Sequence, residues 1–151
     1  MSVPQFGRPE PGREYPDRPA AFVVVEHAGK LALVRVTLAN GGERIDLPGG
    51  GLEHGESAGE AAARECGEEA GLRVEIQHRI TCADHFFVND SGRSHNTRGQ
   101  FFSGRLVGEA PELKVEEDHA LVWLEPLEAL RSLSREAHAW AVASWLRGAR
   151  D

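Results

Sequence analysis

Three glutamates, Glu65, Glu68 and Glu69, stand three and four residues apart in a segment, Gly50–Leu72, that contains no lysine. On a helix, residues related as i, i+3 and i+4 are neighbours, and like charges at those spacings repel. The three also fall near the end of the expected helix, where the macrodipole favours cations over carboxylates. Divalent cations held among the acids would remove both costs. Carboxylate oxygens suit Mg²⁺ or Mn²⁺, and magnesium usually takes its remaining ligands from water and substrate phosphates. The chemistry this pattern points to is therefore the binding of a divalent cation whose free positions water or a phosphate can take.

The elements that must position these acids can be read around them. Ser57 followed by Glu60 is a capping-box pattern that starts a helix at about Ala58. Alanines at 58, 61, 62 and 63 favour the helix, and Gly71 is placed to end it in a left-handed cap. On the helical wheel Ala62, Ala63, Cys66 and Ala70 form an apolar side. Ahead of the helix, Gly49, Gly50 and Gly51 let the backbone approach a metal or phosphate closely.

Residues 1–19 hold five of the eight prolines and read as a leader, either an extended arm or disordered; residues 20–151 read as one domain. Ala21–Glu26 and Leu31–Thr37 form a hairpin pattern around His27–Lys30, and Ile45–Leu47 a short strand. Arg73–Ile80, Phe86–Val88, Gln100–Val107 and Leu121–Leu124 read as further strands, with Asn89–Gly99 as a turn-rich link. Pro126–Ser132 and Ser134–Leu146 read as helices, the second placing Ala137, Trp140, Ala141 and Trp145 on one core-facing stripe. Strands on both sides of a central helix, with a helix at the end, predict an α/β fold: a mixed sheet covered on both faces as an α/β/α sandwich.

At 151 residues the chain suits a single domain. The segment Gly50–Leu72 carries six acids against Arg64 alone, within a formal charge of −7 for the whole chain. An acidic balance argues against a general nucleic-acid coat. No apolar run approaches the ~20 residues of a bilayer span, and the first residues lack the apolar core of a secretory signal. Cys66 and Cys82 form neither a metal spacing nor a disulfide framework, so a reducing cytoplasm is the expected location. His85, His95 and His119 show no paired metal spacing.

The run Gly50-x5-Glu56-x7-Arg64-Glu65-Cys66-x-Glu68-Glu69-x-Gly71-Leu72 resembles the Nudix box, and Leu47-Pro48-Gly49-Gly50 resembles the usual approach to it. Cys66 stands where a branched aliphatic is usual, and Ile45 where an aromatic often precedes the glycines. The resemblance implies that Glu65, Glu68 and Glu69 bind divalent metal, Mg²⁺ or Mn²⁺, with the Gly49 carbonyl as a further ligand. It also implies that Glu56 and Arg64 brace the loop and helix, with Gly50 and Glu53 supporting the site. The implied activity is hydrolysis of a phosphoanhydride in a nucleoside diphosphate linked to another moiety, a nucleoside triphosphate or related nucleotide being favoured. The alternative is a Nudix-like nucleotide-binding or sensor domain of weak turnover. The base is either Glu65 or an acid of the Glu116-Glu117-Asp118 turn, Glu117 ahead of Glu116.

Substrate selection is less marked. The markers of the diadenosine-polyphosphate and ADP-ribose subfamilies, a tyrosine or a proline about sixteen residues past the box, are absent around Phe86–Asp90. Arg35 and Arg44 are candidates for contacting phosphates that are not transferred, and Phe86, with Phe87, Phe101 and Phe102, for stacking a base, at least half of these phenylalanines being expected in the core. The expected partner is a small nucleotide, without membrane association; a homodimer is left open.

Overall fold

A computed structural model describes residues 2–149. Eight strands build one mixed sheet: β1 (Gln5–Phe6), β2 (Asp17–His27), β3 (Lys30–Thr37), β4 (Glu43–Asp46), β5 (Gly49–Gly51), β6 (Leu72–Val88), β7 (Ser94–Glu109) and β8 (His119–Leu124). The main path runs β1-β6-β7-β2-β3-β4, with β5 on β2 and β8 on β3. The β1–β6 and β2–β7 pairs are parallel and the others antiparallel. Three α-helices lie among the described residues: α1 (Ala58–Ala70), α2 (Pro126–Ser132) and α3 (Glu136–Ala149).

Strand β2 shows why both faces are covered. Its Ala20, Phe22 and Val24 pack into one apolar cluster with Ala129 of α2 and Ala137, Ala141 and Val142 of α3. The intervening Ala21, Val23 and Val25 pack into a second cluster with Ala61, Ala62, Cys66 and Ala70 of α1. Successive side chains of a strand point to opposite faces, so a continuous apolar run is buried on both. The result is the α/β/α sandwich. None of the helices among the described residues is long and apolar enough to cross a membrane.

Local signals hold in α1. Ser57 accepts from the Glu60 amide while the Glu60 carboxylate accepts from Ser57 N–H, and Gly71 closes the helix at φ 66°. Ala63 is only half-buried, at the edge of the apolar stripe. Two expectations differ from the structure elsewhere. Trp140 lies 42% exposed, because the buried stripe of α3 is centred on Ala137, Ala141 and Val142; its indole donates to Thr81 Oγ1 at 3.3 Å. The strands expected at Arg73–Ile80 and Phe86–Val88 are one, β6, and Ser94–Gly99 belongs to β7.

Before β2 the chain runs along the sheet edge. Phe6 packs on the core against His85 and Trp140. Further on, the Arg13 guanidinium reaches the Gly92 carbonyl and Ser94, and Tyr15 meets Phe86 edge-on.

Candidate active site

A loop without side chains delivers the backbone to the acids of α1. Gly49 has φ 152°, and a Cβ there would overlap the Ala21 carbonyl and the Phe22 Cα, so only glycine fits against β2. At Gly50 a Cβ would come within 3.0 Å of the Glu65 carboxyl carbon. The glycines therefore admit Glu65 and Glu69 to the loop itself, and the Gly49 amide donates to Glu69 Oε1 at 3.0 Å.

Arg64 organises the other acids. Its Nε and Nη2 hold the two oxygens of Glu56 at 2.7 and 3.0 Å, a bidentate fork. Its Nη1 is shared between Glu65 Oε1 at 2.9 Å and Glu68 Oε2 at 3.0 Å, with Glu53 at 3.6 Å. Nη2 also donates to the Gly51 carbonyl. Glu56 in turn accepts from the Glu53 amide. One guanidinium thus ties the loop to the first turns and to two of the three clustered acids.

The end of α1 is closed by the loop after β7. The amides of Val115 and Glu116 both donate to the Glu68 carbonyl, and the Ala110 amide to the Gly71 carbonyl, satisfying acceptors that a helix end leaves free. This docking brings His119 to Glu69, Nε2 lying 3.3 Å from Oε2, while Nδ1 bonds Asp118 at 2.8 Å. Glu116, Asp118 and His119 offer ligand atoms within 4.8 Å of one another. Burial, with the neighbouring charge of Glu69, pushes the Glu65 carboxyl above its usual range. Burial also raises Glu69, against the opposing pull of its bonds to His119 and the Gly49 amide. The His119 imidazole is raised to about 9, first by its hydrogen bond to Glu69 and then by Asp118.

These residues open on one cavity of about 270 Å³, lined by Gly49, Gly50, Gly51, Glu65, Glu69, Glu116 and His119 together with Arg18, Arg44, Asp46, Phe87 and Arg135. Of the residues singled out from sequence, Gly49, Gly50, Glu65, Glu69 and Arg44 line it, whereas Glu68 does not. Arg35 is outside, half-exposed and paired with Glu43 at 3.5 Å. Phe86 is also outside, against Tyr15, and its neighbour Phe87 lines the cavity instead. Glu117 is exposed, whereas Glu116 lines the cavity. Cys66 is fully buried in the α1 cluster, its thiol pushed up to about 12 by burial.

Phe87 is among the phenylalanines that the sequence offers for stacking a base, but Arg18, Asp46 and Arg135 carry no such mark in it. Their only hint is Asp46, a charged residue set directly before the apolar Leu47-Pro48 and buried to 5% exposure.

The donor set fits a hard divalent cation. Glu65, Glu68 and Glu69 offer only oxygens, and each carboxylate oxygen has lone pairs beyond those its present partners use.

Comparison with known proteins gives a match of residues 16–146 to the NUDIX domain family. A Mycobacterium tuberculosis protein named MutT4 is 36% identical over 70 residues, 46% of this chain and 28% of that protein. The RNA pyrophosphohydrolase of Sphingopyxis alaskensis is 28% identical over 114 residues, 69% of this chain and 72% of that one. The chain thus spans less than a third of the mycobacterial relative. Among solved structures, a NUDIX hydrolase from Nitrosomonas europaea has the same fold, with a TM-score of 0.74 at 21% identity over 87% of this chain and 90% of that one.

Proposed function

The chain belongs to the Nudix family, and from that premise we propose that it is a Mg²⁺-dependent pyrophosphohydrolase acting on a nucleoside diphosphate linked to a further group. The observation that carries this reading is the meeting of Glu65 and Glu69 with the Gly49–Gly51 loop in a single cavity, with Glu68 held beside Glu65 by the same Arg64 nitrogen. Glu65, Glu68, Glu69 and the Gly49 carbonyl would hold the metal, Mn²⁺ being an acceptable substitute. When bound, the ion neutralises phosphate charge and activates water.

The chain's own residues do the remainder. Arg64 fixes the acids, so that they need not reorganise during reaction. Glu65, raised by burial, or Glu116 from the docked loop takes the proton of the attacking water; the exposed Glu117 is less suited. Such a base contributes typically ~10²–10⁴-fold. Two free cysteines suit a reducing cytoplasm as the place of action.

The test is Mg²⁺-dependent release of phosphate or pyrophosphate over a panel of nucleoside triphosphates, dinucleotides, nucleotide sugars and a 5′-triphosphorylated RNA, with product analysis. The RNA is included because of the name of the Sphingopyxis relative. Glu68→Gln should lower turnover by at least about a hundredfold while the fold is kept. Wild type and variant equally inert across the panel, yet both binding nucleotide, would favour a sensor domain instead.

A further inference from the structure

The cavity that holds the acids is also lined by three arginines, Arg18, Arg44 and Arg135, which bracing of the metal ligands does not use. Two of them are built into a rigid arrangement. The Arg135 guanidinium carbon lies 3.8 Å from the Phe87 ring centroid and that of Arg44 lies 5.2 Å from it. Arg44 Nε bonds Asp46 Oδ2 at 2.7 Å, and Arg135 Nε lies 3.5 Å from Asp46 Oδ1. All three side chains are largely buried, at 20% exposure for Arg44, 13% for Arg135 and 8% for Asp46. Asp46 Oδ1 and Arg135 Nε are buried without a hydrogen-bond partner among the described residues.

One carboxylate thus serves two guanidiniums, and Arg18 adds a further positive charge on the same cavity. Buried charge without a full counter-charge is costly. Glu65, Glu69 and Glu116 share the cavity, but on the catalytic reading the first two are engaged by metal and Glu116 faces the attacking water. The partner still missing is an anion, and planar guanidinium forks suit the oxygens of a phosphate. The aromatic rings on the cavity are already committed: Phe22 stacks on Phe101 at 5.1 Å and is 4% exposed, and Phe87 carries the guanidiniums.

We propose that Arg44 and Arg135, set on Phe87 and held by Asp46, form a phosphate receptor selecting substrates with a further phosphate beyond the anhydride at the carboxylates. This rests on the catalytic reading above for its biological meaning. Linear tri- and polyphosphates are preferred over diphosphates whose second half is a neutral sugar. Asp46 is a positioning residue in this arrangement.

The probe is inorganic tripolyphosphate, titrated by calorimetry with EDTA and again with Ca²⁺, against wild type, Arg44→Gln and Arg135→Gln, with circular dichroism to establish folding. Each variant should bind about ten- to a hundredfold more weakly, the loss of one charge-assisted contact, and wild-type binding should weaken as salt is raised. Adenosine, which carries no phosphate, should not displace the probe. Wild type that binds tripolyphosphate under neither condition, or folded variants that bind it as tightly as wild type, would overturn the receptor. Displacement by adenosine would overturn it in favour of a base-stacking shelf. Arg44→Gln removes the more exposed of the two guanidiniums and keeps the test decisive if Arg135→Gln does not fold. Arginine-dependent binding in a chain without turnover supports the receptor and removes only the catalytic reading.

Discussion

Arg64 is the single cation among six acids between Gly50 and Leu72, and its geometry accounts for how four of them, Glu53, Glu56, Glu65 and Glu68, coexist. A lysine at that position keeps the charge but cannot grip both Glu56 oxygens while reaching Glu65, Glu68 and the Gly51 carbonyl. Arg64→Lys is therefore expected to lower Mg²⁺-dependent turnover by tenfold or more and to lower the melting temperature. Unchanged kinetics and melting would remove the bracing role. His138 makes a separate prediction. It is fully buried, its Nδ1 accepts the Leu47 amide at 3.0 Å, and burial with the nearby Arg135 depresses its pKa from 6.5 to about 3. Between those values the unfolded chain binds a proton that the folded chain refuses, so stability rises with pH across the window and falls on acidification from about 6.5 towards 3. The loss over the whole window is on the order of 5 kcal/mol. His138→Gln keeps an acceptor for Leu47 but does not titrate; urea unfolding at pH 7 and pH 4.5 should show a shallower pH dependence for the variant, and equal slopes would assign the effect elsewhere. At this scale the sequence was informative where chemistry is local. Glu65, Glu68, Glu69, Glu56 and Arg64 lie on one helix and its approach, so spacing alone relates them. Asp46, Phe87 and Arg135 meet only through tertiary structure, and no spacing announces them.

The same division holds for elements. Helix α1 was legible to the residue because both its signals are short-range: the Ser57–Glu60 box at one end and the left-handed Gly71 at the other. Removing the cap hydroxyl, Ser57→Ala, should cost about 1 kcal/mol, or roughly 2–4 °C in melting temperature for a domain of this size. A larger loss of activity than of stability would show that the cap also sets the position of Glu65. The β6–β7 hairpin was less legible, for two reasons. Ser94, His95 and Asn96 are polar and read as loop, yet the Asn96 amide bonds the Pro16 carbonyl and Asp17–Pro19 pair with Asn96–Arg98, so long-range pairing makes them strand. Within β6, register shifts between Ile76 and His78 and between Arg79 and Thr81 interrupt the alternation of faces. The first shift turns His78 and Ile80 away from the face of Val74 and Ile76, and the second restores it, so Phe86 regains that face and Phe87 takes the opposite one, on the side of Phe101, where it lines the cavity.

For the molecule as a whole, the open question is how residues 2–16 relate to the domain, and the contacts of this arm answer in energetic terms. Gln5 and Phe6 extend the sheet beside β6, the Asp84 amide donates to the Pro4 carbonyl, and Phe6 fills a place on the core beside Trp140 and His85. Covering the β6 edge hides a row of backbone groups that would otherwise offer pairing to another chain. Further along, Arg13 and Ser94, whose hydroxyl donates to the Glu14 carbonyl, tie the arm to the Asn89–Arg93 turn. Asn89 of that turn lines the cavity. We therefore propose that the arm is part of the domain, and that its two halves act differently. Phe6→Ala should lower the melting temperature by several degrees, the partial loss of roughly 1.5–3 kcal/mol for a phenylalanine side chain, without raising KM. Deleting residues 1–13 should lower it further and also raise KM, because the turn carrying Asn89 loses its tether. Melting curves and KM for the two variants beside the full chain decide the matter: a truncated protein with the melting temperature and KM of the parent would make the arm a dispensable leader, and a loss of stability with KM unchanged would confine its role to the sheet edge.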